Sequence, residues 1–134
     1  MESNLPYHNI PSVPLEPDAQ NIIARMADAL AFRYYWATED LKEEELNFKP
    51  SEDSMTLEKL LRHINDLILR VDAKFGGESE QPKGKQSLKL LRSASLHNLS
   101  NLSNRLKNMT FQEFKKMMEE DASAYPFWFT LNGP

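Results

Sequence analysis

The stretch Thr56–Gly77, TLEKLLRHINDLILRVDAKFGG, constrains the fold of this chain more than any other. Leu57, Leu60, Leu61, Ile64, Leu67, Ile68, Val71 and Phe75 recur at helical spacing and fill one face, so the segment reads as an amphipathic helix with a face to bury. Both ends carry signals. Thr56 is placed to accept a bond from an orphan amide as N-cap, and Met55 and Leu60 are set as a hydrophobic staple. Gly76-Gly77 supplies the stop. His63 lies roughly 100° from the centre of the apolar stripe by the 3.6-residue period. That is the boundary between core and water, where a ligand or a catalytic base is useful. The plainer reading is an edge histidine bonded to a neighbouring side chain.

The elements around this helix follow from punctuation and period. Pro6, Pro11, Pro14 and Pro17 forbid a helix over residues 1–17 and favour an extended arm. Leu5, Tyr7, Ile10, Val13 and Leu15 suggest that the arm packs on the domain, with His8 facing solvent. A first helix is expected from about Asp18 to Leu41, with Ile22, Ile23, Met26, Ala27, Leu30, Tyr34, Ala37 and Leu41 as its apolar stripe. Phe32 and Trp36 add a second strip. A helix that is apolar on two sides is either central in a bundle or faces a partner chain. Arg33, at the edge of the main stripe, reads as a snorkelling side chain or as the counterion of an anionic ligand or buried carboxylate.

Residues 42–54 begin acidic and continue as NFKPSEDS, so Pro50 and the Asn, Ser and Asp residues mark a turn. Glu43, Glu44 and Glu45 point to different sides if helical, which makes them a solvated turn rather than a cation site. The Gly/Pro-containing run Gly76–Gln86 reads as a mobile loop. A third helix is expected over Ser87–Asn108 through Leu88, Leu91, Leu99, Leu102, Leu106 and Met109. Its many Ser and Asn residues lower helix propensity, so tertiary packing must hold it. His97 falls outside its stripe and reads as exposed. Thr110-Phe-Gln-Glu113 is a capping box opening another helix, with Phe111, Phe114, Met117 and Met118 on its apolar face. The aromatic run Tyr125–Phe129 looks like the opening of a further element cut off at Pro134. The fold expected is all-α, an up-and-down four-helix bundle whose last helix is truncated, with residues 1–17 as an arm and 18–134 as one domain.

Composition removes several functions. The net charge of −4 lacks the concentrated basic face of a nucleic-acid binder, and Lys83–Arg92 is a short basic run that starts in a loop. Without cysteine there is no disulfide, thiolate nucleophile or cysteine-type zinc site. No signal peptide is read at the N-terminus and no apolar run approaches the ~20 residues of a membrane span. The Asn98, Asn101 and Asn108 sequons are taken as chance products of an Asn/Ser-rich helix, and the expected location is the cytoplasm. Phosphate-binding loops and nucleophile elbows do not occur. One histidine makes no metal site, since a catalytic zinc or nickel needs about three protein ligands. Asp66, roughly 60° round the helix from His63, offers a co-ligand or an acceptor for the imidazole N–H. A Glu-x-x-His di-iron pattern fails because residue 60 is leucine.

Leu46-Asn-Phe48-Lys-Pro50, followed by Met55-Thr56 and then Leu57 to Ile64 with His63 inside, resembles the DinB/YfiT-like family of bacterial four-helix bundles. The likeness runs from about Ile22 onward, with its specific part in Leu46–Ile64. It implies a divalent metal, usually zinc or nickel, held first by His63 with further ligands from a last helix, and a hydrolase or thiol-dependent transferase reaction. It also implies a homodimer, which agrees with the two-sided first helix. His8 and His97 do not stand where the other ligands belong, so the site is incomplete in this sequence. The alternative is a non-catalytic bundle acting as a dimer or partner-binding module. The small-molecule substrate stays unassigned.

Overall fold

The computed structural model describes residues 4–120. Four α-helices form: α1 (Ala19–Thr38), α2 (Leu57–Lys74), α3 (Leu88–Lys107) and α4 (Phe111–Glu120), with a 3₁₀ turn at Glu43–Asn47 and no strand among the described residues. The expected all-α, four-helix architecture is the one observed. The aromatic run Tyr125–Phe129 and the expectation of a truncated last helix lie outside the described residues.

Local chemistry sets the helix ends. Thr56 Oγ1 accepts the Lys59 N–H at 3.2 Å, and Ser87 Oγ accepts the Leu90 N–H at 3.2 Å. The capping box at α4 is reciprocal: the Glu113 N–H donates to Thr110 Oγ1, and the Thr110 N–H donates to Glu113 Oε2. α2 stops in a Schellman arrangement. The Gly76 N–H donates to the Ala73 carbonyl, the Gly77 N–H to the Asp72 carbonyl, and Gly76 takes φ +89°. A Cβ at residue 77 would overlap the Asp72 carboxylate, so glycine is required there for space as well. The expected staple does not close; Met55 and Leu60 both stay largely exposed.

The directions of the helices follow from their bonds. Asp28 meets Lys107 while Thr38 meets Arg92, so α1 and α3 are antiparallel. Asn65 meets Ser95 and Asn98, and Asp72 meets Arg105, so α2 and α3 run the same way. The up-and-down alternation therefore holds from α1 to α2 and is broken from α2 to α3. Residues 75–87 must return along the length of α2, and polar side chains hold them there. Gln81 donates to the Arg62 carbonyl at 2.8 Å and to Asp66 Oδ1 at 3.0 Å, and accepts from Asn65 Nδ2 at 2.6 Å. Arg62 donates to the carbonyls of Pro82 and Gly84. The segment expected to be mobile is pinned because its backbone acceptors meet side-chain donors of α2.

Two apolar clusters make the core. One joins Tyr7, Ala31, Tyr34 and Tyr35 to Leu46, Leu61, Ile68, Leu91, Leu96 and Leu99. The other joins Ala24 and Ala27 to Phe75, Leu102, Leu106 and Phe114, with the Phe75 and Phe114 rings stacked at 6.1 Å. α4 thus closes the end of the bundle where α1 begins and α2 finishes. α1 departs from expectation. Its buried face is Gln20, Ala24, Ala27, Asp28, Ala31, Tyr34, Tyr35 and Thr38, whereas Ile22, Met26 and Leu30 of the predicted stripe are 53%, 67% and 53% exposed. Small residues let α3 approach closely, and the polar ones on that face find partners, so the core face is rotated away from the apolar stripe.

Candidate functional site

His63 sits in the middle of α2 on its exposed side. Asp66, read from the sequence as a co-ligand or imidazole acceptor, spends Oδ1 on Gln81 of the return segment. Among the described residues no group of three or more His, Cys, Asp or Glu side chains gathers to hold a metal ion. His97 is exposed, and its Nδ1 lies 2.8 Å from the Ser93 carbonyl within its own helix. His8 is exposed as expected, yet its ring packs on Tyr35 and Trp36 at 5.6 and 5.1 Å, and its carbonyl accepts from Trp36 Nε1 at 3.2 Å. None of the three histidines belongs to a group of three such metal-ligating side chains among the described residues. Glu43, read as part of a solvated turn, has a partner: its Oε2 accepts the Leu88 N–H at 2.9 Å and helps cap α3.

Several of the buried polar groups bond to one another or to the half-buried charges beside them. Asp28 is fully buried; its Oδ1 accepts the Tyr7 hydroxyl at 2.8 Å and its Oδ2 accepts Lys107 Nζ at 2.7 Å. Burial, and secondarily the bond to Asp28, push the Tyr7 phenol well above its usual range. Burial also raises the Tyr34 phenol above its ordinary value. Tyr7 accepts φ +74°, a strained value for a bulky residue, to reach that carboxylate. Arg92 donates to Thr38 Oγ1 at 2.9 Å, to the Tyr35 carbonyl at 3.1 Å and to Glu39, and stacks over the Tyr35 ring. Tyr7 and Tyr34 were read from the sequence only as apolar packing residues, and Asp28, Thr38 and Lys107 were not singled out. The available signal was Asp28, a carboxylate one helical turn from Ala24 and Ala31 on a face that must pack closely.

The arm is tied down by its own backbone acceptors. Besides His8, the Pro11 carbonyl accepts Arg25 Nη1 at 2.7 Å and the Glu16 carbonyl accepts Asn21 Nδ2 at 3.1 Å. These contacts cover one flank of α1 and leave its outer side bare. That side carries Ile22, Met26 and Leu30 at i, i+4 and i+8, with Arg33 and Ala37 continuing the row, all exposed. Leu15, just before the helix, is 98% exposed. No helix among the described residues is long and apolar enough to cross a membrane. Comparison with family models, with curated proteins and with solved structures gave no match.

Proposed function

We propose that this chain is a non-catalytic helical module that works by self-association, docking a second copy onto the outer face of α1. The observation that carries the reading is the exposure of Ile22, Met26 and Leu30 in one row on the outer side of a helix whose other side is buried. Burying apolar surface contributes roughly 25 cal/mol per Å², so three large side chains left in water on one ridge are a standing incentive to associate. Such a row is more than the scattered apolar exposure ordinary for a protein surface.

The metal-dependent hydrolase or transferase reading rests on the DinB-like resemblance around His63 and would need ligands beyond the residues gathered near it. Sedimentation equilibrium across a concentration series, wild type beside Met26→Glu, tests the proposal. Wild type is expected to show a reversible dimer and Met26→Glu a monomer with unchanged helicity. Wild type that stays monomeric at every concentration overturns the reading. Stoichiometric zinc or nickel uptake that disappears in His63→Ala would favour the metal reading instead.

A further inference from the structure

We infer that the two copies meet antiparallel, α1 against α1, on a two-fold axis at Met26; this rests on the self-association reading. Ile22, Met26 and Leu30 are evenly spaced, so the row is symmetric about its middle residue. A copy turned end for end lays Ile22 on the partner's Leu30, Met26 on the partner's Met26 and Leu30 on the partner's Ile22. An isologous contact requires this self-complementarity.

Charge chooses between the two orientations in which such a row can pair with itself. Arg33 continues the row beyond Leu30, is exposed, and makes no ion pair among the described residues. At the other end Asp18 occupies the N-cap position of α1 but makes no side-chain capping bond, and the Glu16 side chain is exposed. Antiparallel pairing brings Arg33 over the start of the partner subunit's helix, where those two carboxylates stand, and symmetry repeats the contact. Parallel pairing would set Arg33 against the partner's Arg33 and leave the carboxylates idle. Like charges brought together are penalised and opposite charges fix register, so the antiparallel arrangement wins. It also gives Leu15 an occupant for its exposed surface, the region of the partner's Ala37. The helical termini are then opposed head to tail, which their dipoles favour.

The chain has no cysteine, so introduced ones report without interference. Met26→Cys is expected to form a disulfide dimer under mild oxidation. Ile22→Cys and Leu30→Cys are each expected to stay reduced alone, because eight residues of helix separate these positions by roughly 12 Å along the axis. An equimolar mixture of the two is expected to cross-link. Self-cross-linking of Ile22→Cys and of Leu30→Cys would overturn the orientation while leaving self-association intact. A wild-type dimer with no cross-link at any of the three positions would overturn the face. A charge exchange gives a second readout. Arg33→Glu alone, and Glu16→Lys with Asp18→Lys alone, are each expected to dimerise about tenfold more weakly, a loss of ~1.4 kcal/mol. Mixed together they are expected to recover the wild-type affinity as a heterodimer, since both pairs of contacts are then complementary. Failure of the mixture to recover would refute the Arg33 contact.

Discussion

The two faces of α1 differ in how their side chains are satisfied: the inner one buries Tyr34 and Tyr35 together with small and partnered polar residues, and the outer one leaves large aliphatic residues in water. The inner face pairs alanines at positions 24, 27 and 31 with Gln20, Asp28 and Thr38, all buried, and every one of those polar side chains has at least one bond. The outer face holds larger apolar side chains and buries none of Ile22, Met26 or Leu30. The contrast teaches that packing distance and partnered polarity, more than greasiness, decide which stripe of a helix meets the core. Alanines allow close approach of α3, and a buried carboxylate is tolerable because Tyr7 and Lys107 both serve it. The apolar row is then left on the surface.

Mutations should separate the two faces by the size of their effect on stability. The largest loss is expected for Asp28→Ala, which leaves Lys107 and the Tyr7 hydroxyl without their acceptor; breaking a buried pair in this way costs about 3–5 kcal/mol, to be read in urea unfolding. Tyr7→Phe should cost less, about 1–3 kcal/mol, because one donor is removed while the ring still fills its place. The same variant sharpens the comparison at high pH. The folded state holds the Tyr7 and Tyr34 phenols above their unfolded values, so the stability they contribute is complete below about pH 10 and declines as pH rises beyond it. Tyr7→Phe should therefore show a shallower alkaline loss than wild type. The smallest effect is expected on the outer face, where Met26→Glu should move monomer stability by no more than about 0.5 kcal/mol while abolishing association. A large loss of stability in Met26→Glu would mean that the outer face belongs to the core after all.

The fold was legible where local chemistry acts alone. Thr56, Ser87, Gly76-Gly77 and the Thr110–Glu113 box mark helix ends that the chain adopts, because capping depends on residues a few positions apart. The α1 stripe was right only in part, with Ala27, Tyr34, Ile23 and Leu41 on the core and Ile22, Met26 and Leu30 outside it, because periodicity reports which residues are apolar and not which neighbour has room for them. The parallel run of α2 and α3 was hidden for a related reason. It depends on the return segment bonding through Gln81 and on Asn65 meeting Ser95 and Asn98, contacts between residues 16 to 33 positions apart. His63 was visible as a residue off the apolar stripe, and it stands exposed rather than at the core boundary. The Tyr7–Asp28–Lys107 set was invisible because it joins the arm to two helices. A second apolar strip was already legible in α1 at Phe32 and Trp36, although it was Ile22, Met26 and Leu30, with Trp36 half-exposed beside the arm, that stayed outside.

The most direct measurement follows the Met26 methyl group by NMR over a dilution series with a soluble paramagnetic quencher present. If the outer face of α1 is the association surface, Met26 is protected from the quencher at high concentration and becomes fully exposed on dilution, while the half-buried Met117 and Met118 change little. A Met26 methyl equally accessible at every concentration, in a sample that sedimentation shows to be dimeric, would contradict the assignment of that face.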